Sequence, residues 1–586
     1  MTLTPSRPPT PRPPTAPTAS CPNAPGPCRG GAKGPPESPI YPSTLPPIHL
    51  PALSSSAPNK PNLPTPKDTV KTCLVVAYIE LSPYPGRNKH TQSNPISPPT
   101  LASSDSVGLD AALAAGRVDG VEKAKMAHAP NQQEERIMSM DRRTFLTRSL
   151  AAGAALSFPA VATAQRDKTY RTALIGSGWW GTNILREAVA CGRCKPVALV
   201  DVDRQQLATC AAEVAKWTSD VPKHYEDYRE MIAREKPDIA IVATPDHWHP
   251  LCMIEAVRSG AHVYVEKPIG HTIMEGRAMV NAARAANRVV QVGTHRRVSP
   301  HNVSGMKFLR AGNAGKIGMV RSFVLYGGGG PERPKKNIEP PKELNWDFWC
   351  GPGPLRSYCG DPDNPRRGGI HPRSWRSWLD YANGTLADWG IHWLDQVLWI
   401  MERKWPKTVH CTGGRPILGE PILTDEVQTT DAPDHQVASY QFEDFTATWE
   451  HRRFGGNPTE KTENVGCWFY GTKGTFHMGW RRGWTFYPSG RGQQEIHEDP
   501  QLNQPDSQNI KELWADFLKA IETGERPACD IETIHYSTNM SLLGMLSYKL
   551  GRSVTWDGQK ETCLGDPQAN ALLRRDYRGP WTYPGA

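Results

Sequence analysis

The sequence predicts an α/β protein whose first folded domain is a doubly wound parallel sheet. Three observations carry the prediction. Short apolar runs alternate with helical spacings from about Tyr170 to about Gly293. The first run leads straight into the glycine-spaced segment Gly176-Ser177-Gly178-Trp179-Trp180-Gly181. The later runs end in polar loops, where ligands of such sheets bind.

Thr172-Ala173-Leu174-Ile175 reads as a short buried strand, and Ile184-Leu185 and Ala188-Val189 recur at helical spacing behind the glycines. Strand, GxGxxG and helix together are the context of a dinucleotide site. The first glycine makes the tight turn, the second admits a pyrophosphate, and the third lets helix pack on strand. The helix start adds N–H groups and a positive dipole end for the phosphates. A second strand, Pro196–Val200, ends at Asp201, placed to take ribose hydroxyls. An acid there repels a 2′-phosphate, so NAD is favoured over NADP. Ile239–Ala243 precedes Thr244-Pro245-Asp246-His247-Trp248-His249, and the strand Ala261–Val265 precedes Glu266-Lys267-Pro268. Helices Pro250–Gly260 and one more lead to a last strand, Val289–Gly293. The expected cofactor site is Gly176, Ser177, Gly178, Trp179, Trp180, Gly181, Asp201, Thr244, Pro245, His249, Glu266 and Lys267.

The surrounding chain divides by composition. Of the 56 prolines, 26 fall in residues 1–100, so 1–139 reads as an extended, solvated leader. Met140-Asp141-Arg142-Arg143-Thr144-Phe145-Leu146, an apolar run and Ala162-Thr163-Ala164 resemble a twin-arginine export signal over 140–164. That reading places the natural start at Met140 or Met138 and the protein in the periplasm, or in the cytoplasm if the signal is unused. The net charge of +9 leaves only +3 beyond residue 164, and no basic block or zinc spacing supports nucleic-acid binding. No stretch is long and apolar enough to predict a membrane span. Ten of the 13 cysteines lie beyond residue 164 without regular spacing. Cys191-Gly192-Arg193-Cys194 is a lone CxxC, for which loop cysteines are the default reading. His247 and His249 have no acid or cysteine cluster beside them, and no metal is expected.

The glycine segment, Thr244-Pro245, Glu266-Lys267-Pro268 and a later Asp388-Trp389-Gly390-Ile391-His392 together resemble the glucose–fructose oxidoreductase/inositol dehydrogenase family, Gfo/Idh/MocA. The resemblance covers roughly 168–556. It implies a Rossmann domain at 168–295 and a C-terminal α/β domain at 296–556, with an open, mainly antiparallel sheet and a tail at 557–586. Local patterns agree. Tyr440 and Phe442 alternate before Glu443-Asp444, and Phe445, Ala447 and Trp449 after it; Gly471–Gly474 reads as another hairpin turn. Residues 510–522 and 533–550 read as helices.

Oxidising a secondary alcohol needs a nicotinamide face, a base, and positive charge near the developing alkoxide. Lys267 suits the charge, and His392 is a base near neutral pH. Asp388, four residues before His392, shares a helix face with it if one helix carries both, and so can orient substrate or imidazole. The resemblance implies these roles for Lys267, Asp388 and His392, and a His such as His249 beside the cofactor. Arg296, after the last strand, is expected to reach substrate. The aromatics Trp346, Trp349, Trp375, Trp378 and Tyr381 among Arg366, Arg367, Arg373 and Arg376 fit two readings equally: sugar stacking, or core with a dimer surface.

The leading expectation is an exported NAD-dependent oxidoreductase for a sugar, polyol or derivative. The alternatives are an NAD-dependent glycoside hydrolase working through transient C3 oxidation, and a non-enzymatic nucleotide sensor. Export implies a tightly held cofactor, because free NAD is scarce outside the cytoplasm. The family also implies a homo-oligomer.

Overall fold

The computed structural model describes residues 168–456 and 463–585; the expected leader and export signal lie outside them. Six parallel strands form the first sheet: β1 (Tyr170–Ile175), β2 (Cys194–Val200), β3 (Lys223–Tyr225), β4 (Ile239–Val242), β5 (His262–Val265) and β6 (Val290–Val292). Their order is β3-β2-β1-β4-β5-β6. The order reverses between β1 and β4, which opens a ligand crevice at the C-terminal strand ends. All four residues of β4 are buried, as expected of a strand covered by helices on both faces. Ile184 and Leu185 of helix Trp179–Ala190 pack into this core without exposure. Each such burial contributes roughly 1.5–3 kcal/mol. Asp203 and Asp227 start the next two helices, Arg204–Trp217 and Tyr228–Glu235, by accepting backbone N–H bonds from Gln205 and Arg229. Neither helix, nor β3, was marked by the apolar runs.

The second domain is a ten-stranded sheet. In spatial order its strands are Ile496–Glu498, Trp484–Pro488, Gly474–Gly479, Val465–Gly471, Ile317–Leu325, Thr446–Arg452, His435–Gln441, Thr408–Gly414, Val554–Asp557 and Thr562–Cys563. Every pairing is antiparallel except that of Ile317–Leu325 with Thr446–Arg452. Both expected hairpins are present, with Tyr440 opposite Ala447 and Gly471 opposite Gly474. Helices Gly390–Ile400 and Ile531–Leu550 pack on this sheet, and Trp393, Trp449 and Tyr440 fill the core between them. Helix Ile510–Thr523 instead joins the core of the first domain through Leu513, Trp514 and Phe517.

The aromatics left open above form a core of their own. Trp346, Trp349, Trp375, Trp378 and Tyr381 are all buried in one cluster. The stacked-sugar reading is therefore corrected: these rings satisfy each other, Trp346 on Trp349 at 4.6 Å and Trp349 against Tyr381 at 4.9 Å. Residues 557–585, set apart above as a tail, first complete the second sheet and its core through Thr562–Cys563, Ala569 and Leu573, and from Arg575 onward fold back over the first domain. Arg575 and Tyr577 bond Glu275 at 2.9 and 2.7 Å, and Glu275 in turn caps helix Ile273–Ala285. Trp581 packs edge-on against Trp248 at 4.7 Å.

Candidate active site

The first and third glycines of the loop meet the steric demands their spacing predicts. Gly176 has φ +93°, and a Cβ there would lie 2.7 Å from the backbone of Ala243 and Thr244. At Gly181 a Cβ would lie 2.1 Å from the Gly176 carbonyl, so helix and strand touch only because it is glycine. Gly178, the residue before helix Trp179–Ala190, has nothing within 4 Å of a Cβ position. That open face beside helix N–H groups is the shape a pyrophosphate needs. Trp179 stands 41% exposed beside it, with Trp180 tilted against it at 5.2 Å.

Asp201 ends β2 with its carboxylate fixed by two backbone donors, Ser177 at 2.8 Å and Asp203 at 2.9 Å. Burial pushes its carboxyl up to about 6. Next to it, Asp203 is fully buried and accepts from Arg366 and, at 2.8 Å, from His371. Arg204 N–H and Asn345 N–H add backbone bonds to Glu343 and Val202. Residues 343–371 of the aromatic-rich insertion, about 327–384, thus lie on the β2 end, where the adenosine side of a dinucleotide belongs. Together the open Gly178 face, the fixed Asp201 and the buried, unpartnered Thr244 hydroxyl fit a dinucleotide.

Past β4, Thr244 and Pro245 line the crevice half-buried. His249 is buried, with Nδ1 2.8 Å from the Pro268 carbonyl and Nε2 2.8 Å from that of Thr244. Burial lowers its pKa to about 4, so the ring is neutral and donates one of those bonds. Its part in the site is to join two loops. Glu266 is buried, accepts from Tyr264 at 3.0 Å and from Lys267 N–H at 3.1 Å, and is pushed upward by burial.

Lys267 leaves the end of β5 and donates to Asp388 twice: to Oδ1 at 2.8 Å and to the backbone carbonyl at 2.9 Å. Both side chains are largely buried, 13% and 18% exposed. Burial opposes the Asp388 charge, but the Lys267 ammonium and the Arg376 guanidinium, 3.3 Å away, outweigh it and hold the carboxyl below its usual range. The expected shared helix face of Asp388 and His392 is corrected. Helix Gly384–Asp388 ends at Asp388, and Gly390–Ile400 begins beyond Trp389. The Asp388 carboxylate faces Lys267 and Arg376, and its backbone carbonyl is taken by Lys267. His392 lies 5.3 Å from Trp480, ring edge to face, and 6.0 Å from His295. Its Nδ1 is buried without a hydrogen-bond partner. Burial first, then the charges of Lys267 and Arg296, drive its pKa well below the ordinary value.

Arg296 is 2% exposed and lies between Trp393 and Trp480, at 4.3 and 4.0 Å from the ring centres. Burial lowers it to about 9, and its Nε and Nη2 are buried without partners. Arg297 instead grips Asp395 through two nitrogens at 2.7–3.0 Å. Two contributors escaped the sequence reading, and a third, Arg376, was read only as one of the arginines among the aromatics and not as a partner of Asp388. Trp480 carries no motif, and Asp246, buried and pushed upward by burial and by Asp388, was passed over inside Thr244–His249. Among the described residues no cluster of three His, Cys, Asp or Glu could hold a metal ion.

Three family models match the chain: an oxidoreductase-family NAD-binding Rossmann fold over 170–294, a GFO/IDH/MocA C-terminal domain over 353–477, and an oxidoreductase-family C-terminal alpha/beta domain over 494–583. The chain belongs to the Gfo/Idh/MocA oxidoreductase family. Within the family, a "Glycosyl hydrolase family 109 protein" of Saccharopolyspora erythraea is 28% identical over 221 residues, 33% of this chain and 46% of the relative. A levoglucosan dehydrogenase of Pseudarthrobacter phenanthrenivorans is 32% identical over 124 residues, 21% of this chain and 29% of the relative. These matches span less than half the length of either relative. A solved levoglucosan dehydrogenase in complex with NADH and levoglucosan shares the fold at TM-score 0.51 and 19% identity, covering 66% of this chain and 99% of that one. The NAD-binding domain of this family is thus residues 170–294, and its crevice holds Lys267. Among the described residues no helix is long and apolar enough to cross a membrane.

Proposed function

We propose that this Gfo/Idh/MocA protein oxidises a secondary hydroxyl of a sugar, polyol or sugar derivative by hydride transfer. The observation that carries the reading is the buried Lys267–Asp388 ion pair beside a neutral His392. When bound, NAD supplies the hydride acceptor. The Lys267 ammonium puts positive charge where a hydroxyl oxygen becomes an alkoxide, and Asp388 keeps that ammonium charged and aimed. His392, unprotonated, takes the hydroxyl proton; the burial and cationic neighbours that keep it neutral also weaken it as a base, so the step contributes less than the roughly 10²–10⁴-fold of a base matched to neutral pH. Arg296 offers its two unpartnered nitrogens to substrate oxygens. Asp201 selects NAD over NADP by repelling a 2′-phosphate. The reading includes export by the twin-arginine route, a retained cofactor and a homo-oligomer.

A second reading is favoured by the relatives named as family 109 glycosyl hydrolases. It uses the same residues to oxidise a glycoside, eliminate its aglycone, add water at the carbon the aglycone left, and return the hydride to the ketone. One experiment separates the readings. Protein purified without added nucleotide is denatured and any dinucleotide identified, and native protein is incubated with aldoses, polyols and aryl glycosides. Net keto-sugar or aldonate supports the first reading; aglycone release without net oxidation replaces it with the second. NAD binding with neither product defeats both and leaves a sensor.

A further inference from the structure

Cys191 and Cys194 read as loop cysteines, and the site above does not use them. The structure brings their sulfurs to 4.0 Å. Cys191 caps helix Trp179–Ala190, Gly192 turns the chain at φ +74°, and Cys194 opens β2. Of the ten described cysteines, all unbonded, Cys191 is the exposed one and the other nine are buried. We propose that Cys191 and Cys194 form a reversible intramolecular disulfide, with Cys191 the sulfur that meets an external oxidant. A disulfide needs about 2.05 Å between sulfurs. The remaining approach is of the order that one side-chain rotation supplies.

The electrostatics divide the labour between the two thiols. The Cys191 thiol is lowered, first by its hydrogen bond with Cys194 and further by Arg193. That same pairing, with burial, raises Cys194. An exposed thiolate beside a buried partner is the arrangement of an attacking and a resolving cysteine. Oxidation by a low-molecular-weight disulfide balances as two exchanges. The Cys191 thiolate attacks glutathione disulfide, forming a mixed disulfide and releasing one glutathione thiolate. Cys194 then attacks the Cys191 sulfur, closes the protein disulfide and releases the second; the two cysteine protons end on the two glutathiones. The pair sits at the end of β2 opposite Asp201, anchored to helix Ile510–Thr523 by the Arg193–Glu522 ion pair.

Arg193 lies between the two cysteines, so trypsin separates them into peptides Glu187–Arg193 and Cys194–Arg204, Lys195 being followed by Pro196. Full-length native protein is incubated with glutathione disulfide, free thiols are alkylated, and the tryptic peptides are weighed. The expected result is these two peptides linked and separable by reduction. Cys194→Ser should stop at a glutathione adduct on Cys191, and Cys191→Ser should give neither link nor adduct. Two alkylated peptides in the wild type, a glutathione adduct that persists there on Cys191, or an adduct on Cys194 in Cys191→Ser overturns the assignment.

Discussion

Replacing Lys267 by Met tests the catalytic reading most directly. Methionine keeps an unbranched stem of similar length and removes all three donors. Two bonds are lost, at 2.8 and 2.9 Å to Asp388. Removing one preorganised charge-stabilising donor typically costs about 10²–10³ in rate, and loss of a full ammonium charge belongs at the upper end of that range. The expected fall in kcat/KM is therefore about 10³, equivalent to ~4 kcal/mol. The fold should survive. Breaking a fully buried pair costs roughly 3–5 kcal/mol, but Asp388 keeps Arg376 at 3.3 Å and both partners retain some solvent. A loss of about 1–2 kcal/mol, or a few degrees in Tm, is expected. The variant should also shift its acid side. Asp388 is held low in the native state, so its contribution is present above the unfolded value of about 3.9 and lost as pH falls through the lower folded value. Without Lys267 that folded value rises and the contribution shrinks. The assay is turnover with the best substrate of the sugar panel, beside melting temperature and bound-dinucleotide content. Wild-type turnover in a variant that holds its nucleotide would refute the role of Lys267.

Three further perturbations bear on the site and the fold. Gly178→Ala should leave Tm unchanged while blocking dinucleotide, whereas Gly181→Ala should lower Tm because its Cβ meets the Gly176 carbonyl at 2.1 Å; titration and melting of both distinguish them, and normal nucleotide affinity in Gly178→Ala would contradict the pyrophosphate placement. Arg366→Met should loosen the insertion's hold on Asp203, leaving the His371 bond, and speed dinucleotide dissociation about 5-fold, for a loss of roughly 1 kcal/mol, measured by displacement with excess nucleotide; an unchanged off-rate removes Arg366 from the cofactor's path. The protein should be acid-labile, since nine histidines (247, 249, 262, 271, 295, 301, 392, 451 and 535) are held below their ordinary value. Each is neutral when folded and protonates when unfolded near pH 6.5, so stability is full above that pH and falls as pH drops towards the folded values. The slope reaches about 1.36 kcal/mol per pH unit for each histidine, and a flat denaturation midpoint between pH 7 and 5 would show the depressions to be unreal.

What the sequence disclosed and what it hid divide by range. The glycine loop was legible because its demands are local: a positive φ at Gly176 and contacts made within a few residues or with the adjacent strand. Lys267 was legible through the strand that ends just before it, and the hairpins through alternation. The Asp388–His392 geometry was not, because the intervening break at Trp389 accompanies capture of the Asp388 carbonyl by Lys267, 121 residues away. Asp203 read as an unremarked residue after Asp201, since its partners Arg366 and His371 are more than 160 residues further on. The aromatic insertion defeated composition altogether. Rings that could stack on sugar and rings that fill a core have the same letters, and only their mutual packing tells them apart.

The folded-back stretch from Arg575 onward bears on how this molecule is made. Glu275, which caps a helix of the first domain, depends on Arg575 and Tyr577, 300 and 302 residues later in synthesis. Arg578 reaches back 225–231 residues to Asp347 and to the carbonyls of Gly351 and Gly353. A chain released before Arg575 therefore carries a nucleotide domain with its seal missing and the buried Glu275 carboxylate stranded without its cation. Such a truncation is registered in the first domain, where quality-control machinery would meet an opened corner around Trp248.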